Sequence, residues 1–160
     1  MTTTLTARGG LALGAALLIA FVPALGGVFT GPSAWYEGLA KPSWNPPGWV
    51  FGPVWTALYA SMGVASWLVW RERGRARAVR AALWVYAVQL VLNAAWSPLF
   101  FGLRRPDLAM IDIVLLWVTI VATVVLFWRV RPVAGAVLLP YLAWVTFASG
   151  LNFAIWRMNA

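Results

Sequence analysis

The chain has 160 residues, 62% of them hydrophobic and 10% charged, with a formal net charge of +8 and neither cysteine nor histidine. Soluble domains average about 45–50% apolar and about 25% charged residues, so this apolar excess does not fit inside one small water-soluble core, and a bilayer is the solvent that suits it. Without Cys or His there are no disulfides, thiolate sites or imidazole bases, and the carboxylates, Glu37, Glu72, Asp107 and Asp112, form no paired catalytic or metal-binding set.

A helix crosses the hydrocarbon core in about 20 residues, and five apolar runs qualify: 9–29, 47–70, 81–103, 108–128 and 132–156. The expected fold is an all-α, five-helix membrane bundle forming one integral membrane domain over 1–160. A signal-peptide core has roughly 7–15 apolar residues behind a basic start. The first run is longer and follows a single Arg8, so it is read as a retained helix. Pro46 and Pro47 suit the first turn of the second helix, and Pro132 the start of the fifth, where a missing N–H costs nothing. Pro98, late in the third helix, and Pro140, early in the fifth, should bend their helices.

The charges sit in the breaks. With five spans, one side of the membrane carries Arg8, Arg71, Arg73, Arg75, Arg77, Arg80, Arg129 and Arg131, and the other carries Lys41, Arg104, Arg105 and Arg157. By the positive-inside rule the N-terminus is cytoplasmic, in a bacterial cell membrane. The basic balance is thus a topology signal. Arginines confined to short loops build no folded basic face, so no nucleic-acid partner is expected.

Polar side chains within the runs are the functional candidates. Gln89, Asn93 and Trp96 share one face of the third helix, Trp55 and Tyr59 one face of the second, and Trp144, Ala148 and Asn152 one face of the fifth. Such stripes can line a pocket with flat apolar walls and a few hydrogen-bonding groups. They can equally hold helices together, and the residue pattern leaves both readings open. Asp112 stands alone inside the fourth run, either paired with an arginine near a helix end or reaching the interface. Small residues on the third helix, Ala87, Ala94 and Ala95, suit close contact with a second copy or with another helix of the bundle.

The stretch KPSWNPPGWVFGPVW, 41–55, holds three tryptophans and four prolines in 15 residues. Together with WYEGLA before it, QLVLNAAWSPLFFG (89–102) and PYLAWVTFASGLNFAIWRMN (140–159), it closely resembles the TspO/MBR family, the tryptophan-rich sensory and translocator proteins, in order and over nearly the whole chain. The resemblance implies five transmembrane helices, commonly dimeric, with the loop between the first two folded as a lid. Here Trp44, Asn45, Pro46 and Pro47 fall in that lid. It implies a membrane receptor or carrier for tetrapyrroles such as protoporphyrin IX and heme, serving porphyrin and stress regulation. Sterols or benzodiazepine-type ligands are further candidates, and no obligatory cofactor is implied. Matched motif by motif, the ligand site comprises Trp35, Tyr36, Trp55, Asn93, Trp96, Trp144 and Ala148. Two alternatives come with the family: a light- and oxygen-dependent porphyrin-degrading enzyme using Trp35 and Trp144, and a transporter of tetrapyrrole or sterol. The family's sterol motif is incomplete here. Leu151 and Arg157 are present, but Phe153 occupies the tyrosine position, which puts sterol binding through that segment in doubt.

Overall fold

The computed structural model describes residues 2–30, 34–72, 74 and 76–160, with side chains for all of these except 2–8 and 28–30. Arg8, Arg73 and Arg75 of the charge count, and the Phe29 side chain ending the first run, lie outside the described side chains. Among the described residues every regular element is helical. They are α1 (Thr2–Phe21), α2 (Ala24–Thr30), α3 (Ala34–Glu37), α4 (Gly48–Trp70), α5 (Ala76–Ser97), a π-helical turn (Pro98–Gly102), α6 (Pro106–Val130), α7 (Pro132–Val137) and α8 (Leu139–Met158).

Among the described residues four helical stretches are long and apolar enough to cross a bilayer: Gly9–Gly27, Ala76–Gly102, Pro106–Val130 and Pro132–Met158. The 23-residue α4 is as long as these; it is rich in tryptophan, with Trp49, Trp55, Trp67 and Trp70, and holds Pro53. It is nevertheless an integral part of the bundle. Trp67 Nε1 donates to the Gly9 carbonyl of α1 at 3.1 Å, and Gly63 lets α1 come so close that a Cβ there would lie 2.9 Å from Leu17 Cα.

Proline places the breaks. The first run is interrupted at Val22–Pro23, where α1 ends and α2 begins. Pro47 is the residue just before α4, with φ −57° and ψ 142°, and so stands outside the first turn. Pro98 opens the π-turn, in which Leu103 N–H reaches back five residues to the Pro98 carbonyl at 2.8 Å. Pro140 falls in the first turn of α8, separated from α7 by Leu138. The apolar runs are therefore jointed, as expected of proline, whose ring clashes with the preceding turn of a helix.

Two contacts orient the ends. Arg131, after α6, donates to Glu72, after α4, at 2.9 Å. At the opposite end Asn152 of α8 donates to the Pro106 carbonyl that begins α6, at 2.9 Å. So α4 and α6 run the same way and α8 runs against them. The core between them is built on Met62, Ala65 and Val69 of α4, Ala82, Tyr86 and Leu90 of α5, Leu116, Ile120 and Phe127 of α6, and Leu138, Tyr141 and Val145 beyond. Gly135 packs against Trp128, leaving only 2.9 Å between an added Cβ and Trp128 Cα. Ala94 is already engaged within the chain: its carbonyl would lie 2.8 Å from a Cβ at Gly26 of α2. Asp112 is buried but makes no ion pair among the described residues, and its Oδ2 has no hydrogen-bond partner.

Candidate functional site

The polar stripe of α5 meets two tyrosines in the middle of the bundle. Tyr59 donates to Asn93 Oδ1 at 3.0 Å, Asn93 Nδ2 donates to the Tyr141 hydroxyl at 2.9 Å, and Tyr141 donates to Gln89 Oε1 at 2.8 Å. Gln89 Nε2 completes the chain against Met62 Sδ at 3.8 Å. One turn further, Trp96 Nε1 donates to Asn152 Oδ1 at 3.0 Å. These amides and hydroxyls are held by one another, as polar groups in hydrocarbon must be.

Above this network lies a cavity of about 610 Å³, inside the range of roughly 300–1,000 Å³ usual for ligand pockets. α4 contributes Phe51, Trp55 and Tyr59; α5 and the π-turn contribute Asn93, Trp96, Phe100 and Phe101; α8 contributes Trp144, Ala148 and Leu151. Trp55 stacks on Tyr59 at 5.2 Å between centroids, and Trp96 stacks on Phe100 at 5.0 Å. Trp96 and Phe100 are four residues apart and so share a helix face, and Phe100 is nearly fully buried against the Trp96 ring. No lining residue among those described carries a formal charge.

Tyr36 of α3, and Asn45 and Pro46 of the segment that follows it, also line the cavity. Burial pushes the Tyr36 phenol above its ordinary value, and hydrogen bonding with the Asn45 side chain acts in the opposite direction. Lys41 holds the segment's curve: its ammonium donates to the Glu37 and Leu39 carbonyls, both at 3.1 Å, and sits 4.6 Å from the Tyr36 ring centre. The segment is also tied to the far end of the chain. Asn159 accepts from Ala40 N–H and donates to the Ala40 carbonyl, both at 2.9 Å.

Of the residues expected at a ligand site, Tyr36, Trp55, Asn93, Trp96, Trp144 and Ala148 line the cavity, as do Asn45 and Pro46 of the loop. Trp35 stands behind the wall, its ring edge-on to Phe100 at 6.0 Å. Trp44 is half exposed against Phe147, and Pro47 is not a lining residue. The sterol-like segment is split by helical geometry: Leu151 faces the cavity, whereas Phe153 and Arg157 are exposed. The sequence reading missed Phe51, Phe100 and Phe101. A proline followed by two phenylalanines in the third apolar run was the available signal.

Residues 14–157 match the family model described as TspO/MBR family. The chain belongs to the TspO/MBR family. Among its relatives are the translocator protein of Sus scrofa, 44% identical over 145 residues (86% of each chain), and the tryptophan-rich protein TspO of Chlorobaculum tepidum, 45% identical over 151 residues (93% of this chain, 94% of the relative). The translocator protein of Homo sapiens is 49% identical over 127 residues, 78% of this chain and 75% of its own. With four apolar helices and this membership, the TspO/MBR chain is an integral membrane protein.

Proposed function

We propose that this TspO/MBR protein is a membrane receptor or carrier that binds a flat tetrapyrrole, protoporphyrin IX or heme, in the aromatic cavity. The observation that carries the reading is the wall itself. Trp55, Trp96, Phe100 and Trp144 present ring surface on three sides of one space of about 610 Å³, and aromatic faces are the surfaces on which a conjugated ring stacks. In this reading α4 is a fifth crossing, running alongside α6, with Trp49 and Trp70 at its two ends in the interface. The 38–47 segment is a lid. The protein sits in a bacterial cell membrane with its N-terminus in the cytoplasm and works as a homodimer. Ala87, exposed on α5, belongs to the face a second copy would meet.

Light-dependent porphyrin breakdown is the second reading, and Trp144 in the cavity wall supports it. Trp35, the other residue it invokes, is separated from the cavity by Phe100. One titration separates the two. Purified protein in detergent is titrated with protoporphyrin IX in the dark by tryptophan quenching and then illuminated. Saturable quenching with an unchanging ligand spectrum is expected. New absorbance bands that require light and oxygen would favour the enzyme, and no saturation would remove the tetrapyrrole reading.

A further inference from the structure

The outward face of α5 changes character along its length. Arg77, Arg80, Trp84, Val88 and Val91 follow one another at spacings of three or four and so share one side of the helix. All are exposed, Trp84 by 73% and Val91 by 69%. From Arg77 to Val91 the stripe covers about 21 Å of helix. That is the depth of one leaflet, half of a bilayer of about 40–45 Å with its headgroups. The charges stand at one end, the indole a turn deeper and the valines below it.

No carboxylate side chain is left to pair with the two arginines. The chain's four are all among the described residues. Glu72 is bound to Arg131 and Asp107 to Arg105. Glu37 lies in α3, at the other end of the bundle, and Asp112 is buried in α6. The outward face of α6 makes the contrast: Ile111, Leu115, Val118 and Val125 run apolar to a single arginine, Arg129. Acyl chains cover an apolar outer face whatever their headgroup. Two guanidinium forks at its head discriminate, because they match the oxygens of a phosphate and favour negative charge.

We infer that this stripe of α5 is a binding site for one anionic phospholipid. The phosphate sits between Arg77 and Arg80, the Trp84 indole lies at the glycerol level, where tryptophan concentrates, and one acyl chain runs along Val88 and Val91. A zwitterionic lipid brings its own cation to the arginines and is held less well. A second copy centred on the same stripe, related by a two-fold axis along the membrane normal, would set each arginine against its own counterpart. A copy that meets α5 at Ala87, on the flank of the stripe, leaves them to lipid. The site is on the outside of the bundle and does not depend on what the aromatic cavity holds.

The test uses the full chain, purified in a non-ionic detergent and stripped of native lipid. Dioleoyl phosphatidylglycerol and dioleoyl phosphatidylcholine, which differ only in the headgroup, are titrated in turn. Native mass spectrometry counts the lipids retained and the copies of the chain, and the thermal midpoint without added lipid is the folding control. Attraction to an anionic headgroup is worth about fivefold in affinity per arginine. Wild type should therefore prefer phosphatidylglycerol by about 10- to 30-fold, and added salt should reduce the preference. Arg77→Gln and Arg80→Gln should each lower it about fivefold. Arg157→Gln, which removes an exposed charge at the opposite end, should leave it unchanged. Trp84→Ala should weaken both lipids alike.

Equal retention of the two lipids by wild type would overturn the site. So would an equal loss in Arg157→Gln, which would reduce the effect to net charge, or a preference unchanged in both Arg77→Gln and Arg80→Gln. A Trp84→Ala variant that holds lipid as wild type does would overturn its placement on this face. If the arginine variants change the fraction of dimer while lipid retention stays as in wild type, the face belongs to a second copy and the lipid site falls. Should one arginine variant fail to fold, the other decides.

Discussion

In the middle of the bundle, Tyr59, Asn93, Tyr141 and Gln89 satisfy one another and end on Met62 Sδ. On the cavity wall, the Trp144 indole N–H is buried with no partner among the described residues. The residue types are similar and both groups are out of water, yet one is finished as architecture and the other is not. In a membrane, a polar side chain in a helix reads as functional by default. What separates glue from site here is whether the partner is already inside the chain.

The largest effect is expected far from both groups, where the bundle is tightest. Gly63→Leu drives a branched side chain into the backbone of Leu17, since even a Cβ would lie 2.9 Å from Leu17 Cα. Overpacking of this kind costs about 1–3 kcal/mol, and more where backbone is the obstacle. The expectation is a lowered thermal midpoint in detergent with loss of folded yield. A variant as stable as wild type would mean that α1 and α4 are not held this close.

Next in size is Tyr141→Phe, which removes the hydroxyl that accepts from Asn93 and donates to Gln89. Two buried amides lose a partner at once. Interhelical hydrogen bonds in membranes average about 0.6 kcal/mol and reach about 1.7, so a loss of about 1–2 kcal/mol is expected, read as a shifted unfolding midpoint in a detergent titration. Asn93→Leu probes the same network from α5. It should lower stability by about 1 kcal/mol while changing ligand affinity by less than about threefold, because both ends of Asn93 are spent on Tyr59 and Tyr141. At Trp144, whose buried Nε1 has no partner among the described residues, Trp144→Phe should do the reverse and lower affinity while stability holds. Binding lost in Asn93→Leu at unchanged stability would erase the distinction between the two groups.

How far this distinction was legible in the sequence depends on the residue. The 3.6-residue period put Gln89, Asn93 and Trp96 on one face, and they share one. Whether that face met hydroxyls or open space depends on how α4 and α8 pack against α5, and no single-helix pattern encodes that. Tyr59 and Tyr141 are 82 positions apart in the numbering, and only the fold brings both to Asn93. The aromatic wall was legible in part. Phe100 falls four residues after Trp96, the spacing that shares a helix face, and stacks on it, whereas Phe101, five residues on, would leave that face in a regular helix and here follows the π-turn opened by Pro98 to meet Trp96 edge-on. Proline announced a bend without announcing which register would follow. The sterol-like segment is divided by simple geometry: Leu151 and Phe153 are two apart, and residues two apart on a helix point to different sides.

The smallest expected change in stability belongs to Asn159, and it tests the proposed lid. Its amide closes a two-way pair with the Ala40 backbone and also donates to the Ile155 carbonyl at 2.8 Å. The pair with Ala40 is exposed, so water competes for every bond and Asn159→Ala should cost no more than about 0.5–1 kcal/mol in global stability. Its effect should instead be local. Ala40 lies between Lys41, which curves the segment, and Tyr36, which lines the cavity. Freeing it should raise protease cleavage within 38–47 and speed ligand release about twofold to fivefold, which is the same small free energy expressed as a rate. Asn159→Asp sharpens the point. It keeps the acceptor for Ala40 N–H but turns a carboxylate oxygen toward two carbonyls, so it should open the segment further than alanine does. If alanine and aspartate behave alike, the amide pair is incidental and the mouth is held by Lys41 and its aromatic neighbours alone.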